Sequence, residues 1–290
     1  MISPHRVPDT LSGAYDEAQR MARAHYENFP VASLLVEKRL RPHVAALYAF
    51  ARVADDYADE DGPGRTPRSR LRDLAAWENG LRSALKDRPA PPILTAFAHT
   101  LRTFQIPPKL PLDLLKAFRM DVAIHRWSTW ERLLDYCRHS ANPVGRMVLL
   151  IHGVRDEKLH SLSDHICSGL QLINFWQDSS VDLARGRIYY PRSEWRRAGV
   201  TEKDLLERRP TEEAGRLVAS MVAFTQDYYS RGRPLIDALT GRLRLEIKAT
   251  VLGGQGLLDR IRDLGPGVLE RRPAWSAAGK AALLVKALLP

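Results

Sequence analysis

The chain has 290 residues, 44% of them hydrophobic, enough to bury a substantial core as one large domain or two small ones. No apolar run approaches the roughly 18 residues needed to span a bilayer, and the opening MISPHRVPDT lacks an apolar signal core. Those exclusions point to a cytosolic protein, and an even composition favours one domain over residues 1–290. Cys137 and Cys167 are too few for a disulfide framework and lie in apolar contexts, as buried thiols do.

The net charge of +10 comes from dispersed arginines, among them Arg185 and Arg187, Arg208 and Arg209, and Arg271 and Arg272. None of these runs reads as a nucleic-acid arm, and no zinc, helix-turn-helix or RNA-binding motif is present, so nucleic acid is not an expected partner. Peripheral contact with an anionic lipid surface, or a diphosphate substrate, suits such scattered charge better. Arginine-rich solvated helices account for it equally well.

In chain order, residues 13–27 carry a helical pattern that Asn28-Phe29-Pro30 breaks. A second helix is predicted from Arg41-Pro42 through Asp59, with the proline in its first turn. There Leu40, Val44, Leu47, Tyr48, Ala51 and Ala54 recur at the 3.6-residue period of a core face. Gly62-Pro63-Gly64 ends it, and residues 65–70 read as a polar loop. Helices follow at 71–85, with Trp77 and Leu81 inward, at 93–104 and at 112–126, separated by proline connectors. Residues 129–140 are helical, Asn142-Pro143 interrupts the pattern, and 145–152 resumes it. A helix starting at Leu159 or Ser163 runs into an acidic stretch, residues 191–200 read as a loop, and long helices follow at 211–229 and 234–261. The closing AWSAAGKAALLVKALLP could form a short amphipathic helix. No stretch alternates with period two, so the prediction is an all-α helical bundle.

The stretch LQLINFWQDSSVDLARGRIYYP (residues 170–191) carries the chemistry. Asp178 and Asp182 are four residues apart, and Asn174 and Gln171 lie one and two turns earlier on the same helical face. Leu172, Ile173, Phe175 and Trp176 cover the other sides. Buried carboxylates need cations, and Mg²⁺ accepts one or two of them while water and phosphate oxygens complete its shell. The pattern occurs twice: Asp55, Asp56 and Asp59 end the apolar run ALYAFARVADDYADE, with Arg52 one turn earlier. Two such helices suggest walls of one metal-filled cavity.

Taken together, these residues resemble the paired aspartate-rich motifs of the squalene and phytoene synthase family, over about residues 24–261. Arg52, Asp55 and Asp59 fall where that family carries its first motif. Gln171, Asn174, Asp178, Asp182, Arg187 and Tyr189 match the second, Q-x-x-N-x-x-x-D-x-x-x-D-x-x-x-x-R-x-Y. Phe29 and Tyr48 match aromatic positions lining the family's cavity, and Asp121 and Tyr136 also fit. The departures are informative: where relatives carry Val-Ala-Gly-x-Val-Gly, this chain has Ser140 for an apolar residue, Asn142 for a glycine, and Pro143. NFPVAS, SANPVG and NFWQD together resemble the hydroxysqualene synthase branch of hopanoid-making bacteria.

The resemblance implies an isoprenoid synthase fold around a central cavity and a reaction taking presqualene diphosphate to hydroxysqualene without NADPH. It implies functional neighbours that make presqualene diphosphate and that reduce hydroxysqualene. Two or three Mg²⁺ ions would be held by Asp55, Asp59, Asn174, Asp178 and Asp182, with Arg52 and Arg187 on the phosphates and Gln171 beside the metal. Phe50 and Trp176 are either channel walls or ordinary core. Ser140 or Asn142 is expected to hold the water that quenches the carbocation, assisted by Tyr136. The alternative within the same fold is head-to-head condensation to presqualene diphosphate, squalene or phytoene.

Overall fold

The structure, a computed structural model, describes residues 7–24, 35–59, 65–275 and 279. Helices carry it: α1 (Ser12–Ala24), α2 (Arg41–Asp59), α3 (Pro67–Ala84), α4 (Pro92–Thr103), α5 (Lys109–Ala123), α6 (Trp130–Ile151) and α7 (Glu157–Gln177). They continue as α8 (Ser179–Ala184), α9 (Arg192–Arg197), α10 (Glu202–Leu206), α11 (Glu212–Ser230), α12 (Pro234–Ala238) and α13 (Gly241–Leu264). Among the described residues β geometry is confined to one isolated parallel bridge, Arg126 to Ile188. The all-α expectation holds. Local chemistry sets many of the boundaries. Pro67 and Pro92 occupy first turns, where the missing N–H costs nothing. Thr66 with Ser69, and Thr201 with Asp204, form reciprocal capping boxes.

Packing sorts the chain into two compact units, Met1–Ala123 with Pro143–His160, and Ile124–Asn142 with Ser161–Pro290. In the first, α2 packs against α1, α3, α4 and α5. Phe50 is fully buried at its centre, stacked on Phe97 at 4.4 Å and on Trp77 at 6.2 Å. Helix α1 is pinned by the Tyr15 hydroxyl, which meets His99 Nδ1 at 2.8 Å, Thr100 Oγ1 at 2.9 Å and His43 Nδ1 at 3.1 Å. Burial raises the ionisation of that phenol, so it stays neutral and bonded.

In the second unit α11 packs against α9, α13 and the 3-10 turn Gly265–Leu269, and α8 packs against α10 and that turn. Trp176 donates its indole N–H to Thr225 Oγ1 at 2.8 Å and stacks on Tyr190 at 5.1 Å. Tyr229 donates to the Val251 carbonyl at 3.1 Å. The close approach needs Gly254: a Cβ there would sit 2.6 Å from the Tyr229 hydroxyl. Phe50 and Trp176 are thus core residues.

Several boundaries differ from those predicted. Pro143 does not interrupt a helix; α6 runs through it from Trp130 to Ile151. An interior proline costs about 3 kcal/mol. Burying Leu133, Cys137, Met147, Leu149 and Ile151 along the same helix offsets that, at about 1.5–3 kcal/mol for each large apolar side chain. Residues 68–70, read as loop, lie inside α3 because the Thr66 cap starts it early. The 191–200 loop contains α9, whose Trp195 is buried, and the capping box of Thr201 nucleates the unanticipated α10. The helix expected at 234–261 is two, split where buried Leu239 is extended (φ −99°, ψ 158°). Helix α5 ends at Ala123 because the chain then runs alongside Ile188, whose N–H donates to the His125 carbonyl at 3.0 Å. Residues 25–27 of the predicted first helix, the whole NFPVAS segment with Asn28, Phe29 and Pro30, Gly62-Pro63-Gly64 and nearly all of the C-terminal AWSAAGKAALLVKALLP lie outside the described residues.

Candidate active site

The first acidic set lies on the last turns of α2. Arg52 faces both neighbours one turn on, with Nη1 3.4 Å from Asp55 Oδ2 and Nη2 2.5 Å from Asp56 Oδ1. Asp59 ends the helix on the same face. All four side chains are partly exposed, within reach of a polar ligand. Tyr48 stands one turn before Arg52. Burial raises its phenol pKa, Arg52 lowers it, and Asp55 and Asp56 raise it again, so the ring feels the cluster's charge. Asp121, half-buried in the last turn of α5, belongs to the same unit, and α5 packs directly on α2.

The second set spans the junction of α7 and α8. The helix breaks at Asp178 (φ −90°, ψ 8°), yet its hydrogen bonds keep the register. Asp178 N–H donates to the Asn174 carbonyl at 2.8 Å, and Asp182 N–H donates to the Asp178 carbonyl at 2.9 Å. Asn174, Asp178 and Asp182 therefore keep their one-turn spacing, Asn174 exposed and Gln171, Asp178 and Asp182 partly so. Gly186, at φ +73°, lets the chain turn back so that Arg187 N–H reaches the Asp182 carbonyl at 2.8 Å. The Arg187 side chain is buried. Ser179 meets the Tyr190 hydroxyl at 2.7 Å and is bound to the core.

Sequence reasoning missed one residue here. Arg272 grips Asp178 with both arms, Nε to Oδ1 at 2.5 Å and Nη2 to Oδ2 at 3.3 Å. The two are 94 residues apart, and no local pattern links them. Gln177 fixes the same segment by donating to the Pro273 carbonyl at 2.8 Å.

Around this set lies an aromatic group within the same unit. Tyr189 stacks on Phe175 at 3.9 Å, and Tyr136 lies 5.8 Å from Phe175 and 5.2 Å, edge-on, from Trp127. The matched tyrosines are thus joined through Phe175, and Trp127 is a second aromatic the motif did not single out. Ser140, one turn beyond Tyr136 on α6, is 8% exposed and its hydroxyl has no hydrogen-bond partner. Trp127 Nε1, in the same aromatic group, is likewise buried with no hydrogen-bond partner. Asn142 differs: its Oδ1 accepts from Ser168 at 2.8 Å, tying α6 to α7.

Among the described residues no three His, Cys, Asp or Glu side chains gather into a closed metal cage. Magnesium does not require one, since it binds through one or two carboxylates with waters and substrate phosphates. Each set by itself offers hard oxygen donors of that kind, Asp55 and Asp59 on α2 and Asn174, Asp178 and Asp182 at the α7–α8 junction. Cys137 is buried, and neither cysteine is in a disulfide. No helix among the described residues is long and apolar enough to cross a membrane.

The family model of squalene/phytoene synthases matches residues 22–278. The chain is 40% identical over 182 residues to a hydroxysqualene synthase of Zymomonas mobilis, a match covering 62% of this chain but only 59% of that relative. It is 35% identical to a hydroxysqualene synthase of Sinorhizobium fredii, covering 81% of this chain and 79% of the relative. A crystal structure described as squalene synthase HpnC from Alicyclobacillus acidocaldarius superposes with a TM-score of 0.84 at 41% identity, over 89% of this chain and 97% of that one.

Proposed function

The chain belongs to the squalene/phytoene synthase family, enzymes acting on isoprenoid diphosphates, and we propose that it converts presqualene diphosphate into hydroxysqualene. The similarity to hydroxysqualene synthases supports this choice within the family. The observation that carries it is the buried Ser140 hydroxyl with no protein partner, one turn from Tyr136 and its aromatic neighbours. A polar guest beside aromatic faces is what capture of a carbocation by water requires. The Asn142 oxygen is already committed to Ser168, so Ser140 is the stronger candidate of the two.

In this reading residues 1–290 act as one isoprenoid synthase domain. Asp55 and Asp59, together with Asn174, Asp178 and Asp182, would hold two or three Mg²⁺ ions, which would supply the charge neutralisation a departing diphosphate needs. Arg52 and Arg187 add charge-assisted hydrogen bonds to phosphate oxygens, and Gln171 orients the donors beside it. Tyr48 and Asp121 line the substrate's path. The carbon–oxygen bond to the diphosphate breaks heterolytically. Aromatic faces from Tyr136, Phe175 and Tyr189 stabilise the cation, at about 1–2 kcal/mol each when desolvated. Water held at Ser140 Oγ adds its oxygen to the cation and gives up one proton, leaving alcohol and diphosphate. No electrons are exchanged, so NADPH has no part.

The C30 substrate must come from a condensing enzyme, and the alcohol product must be consumed by a reductase. Both compounds are lipids, and a net charge of +10 suits transient contact with an anionic membrane surface. Incubating the protein with presqualene diphosphate and MgCl₂, with and without NADPH, tests the reading. Hydroxysqualene is expected in equal yield in both. Squalene formed only with NADPH, or consumption of farnesyl or geranylgeranyl diphosphate instead, would assign the chain to the condensing or reducing reactions of the family.

A further inference from the structure

We propose that Arg272 is a latch on Asp178, holding that carboxylate closed until a magnesium ion and a diphosphate arrive together. The inference rests on the reading of Asp178 as a metal ligand. The guanidinium engages both carboxylate oxygens, at 2.5 and 3.3 Å, so an incoming cation must share or displace a partner on each. The segment that carries Arg272 is docked rather than loose. Pro273 is buried and its carbonyl accepts from Gln177. Two residues further, Trp275 lies under the Arg260 guanidinium at 4.2 Å, on the α13 surface left bare by Gly256. A Cβ at Gly256 would collide with the indole. Residues 272–275 are therefore strapped across the end of α7 with Arg272 on Asp178.

The strength of the pair fits a latch better than a structural strut. Arg272 is 56% exposed and Asp178 35%, so water and salt screen the contact. A dication alone must replace a bidentate cation and also accept its continued presence nearby. A diphosphate changes that balance, because the displaced guanidinium can pair with phosphate oxygens in the same bidentate way. Metal binding and diphosphate binding become coupled through one side chain.

Calorimetric titration of the full chain with MgCl₂, alone and then with inorganic pyrophosphate present, reads this directly. Wild type is expected to bind Mg²⁺ alone weakly and to gain strongly from pyrophosphate. Arg272→Gln should bind Mg²⁺ alone roughly threefold to tenfold tighter and gain less from pyrophosphate. Arg272→Lys should fall between them, since one ammonium cannot grip both oxygens in a fork. Asp178→Asn serves as the control and should lose Mg²⁺ affinity. If it does, while Arg272→Gln binds Mg²⁺ no tighter than wild type, the latch is overturned and the metal reading stands. If Asp178→Asn binds Mg²⁺ as well as wild type, both fall.

Discussion

The two acidic sets look alike in sequence and are built differently. On α2, arginine and aspartates share one unbroken helix, and Arg52 reaches Asp55 and Asp56 at three- and four-residue spacing. At the α7–α8 junction the helix breaks at Asp178, and the arginine comes from Arg272, far along the chain. The first set carries its counter-charge with it, whereas the second borrows one from a separate segment. A carboxylate paired within its own helix keeps its partner within a turn as long as the helix is folded. One neutralised by a docked tail can be released.

Both sets should nonetheless be indispensable if they act on one diphosphate. Asp55→Asn and Asp178→Asn are each expected to lower alcohol formation by about 10²–10³-fold, the usual loss when electrostatic stabilisation of a leaving anion is removed. Thermal melting should be little changed. Loss of activity in only one of the two would break the symmetry between the sets.

A second contrast lies in pH. The second unit buries Glu246, 7% exposed, and desolvation pushes its carboxyl up to about 7. Its folded value is above its unfolded one, so the folded state binds the proton more tightly. The associated stability is full below about pH 4.5 and is lost as pH rises through 7, on the order of 3 kcal/mol in all. Glu246→Gln should flatten that slope in denaturant titrations between pH 5 and 8 and leave the first unit's packing as it is.

Ser140→Val should lower the alcohol fraction several-fold and divert the cation to hydrocarbon, as expected when a water site is made apolar. Product ratios by mass spectrometry check it. An unchanged ratio would return Ser140 to the core. The smallest effects concern stability. Arg52→Gln and Arg272→Gln should each cost about 0–1 kcal/mol, as exposed ion pairs do. Equal small values in melting curves, alongside different Mg²⁺ affinities, would sharpen the contrast between a fixed and a releasable partner.

Much of this was legible in the chain because it is local. The α2 period, the i and i+4 carboxylates, the Arg52 contacts and the proline-led helix starts are all set by neighbours within two turns. What escaped depends on partners far away. Arg272 reads as one dispersed arginine until folding brings it to Asp178. Pro143 reads as a breaker because the sequence shows its missing N–H but not the burial of Leu133, Met147 and Ile151 along a continuous α6. Asn142 reads as a candidate for the water until Ser168, 26 residues on, claims its oxygen. Trp127 joins Tyr136 and Tyr189 only because the chain after α5 runs beside Ile188.

Water capture of a carbocation is most directly tested by running the reaction with presqualene diphosphate in ¹⁸O-labelled water and weighing the alcohol. Cleavage at carbon followed by quenching puts the heavy oxygen into hydroxysqualene. An alcohol with unlabelled oxygen would mean the bond to phosphorus is the one cut, and ionisation would have to be abandoned.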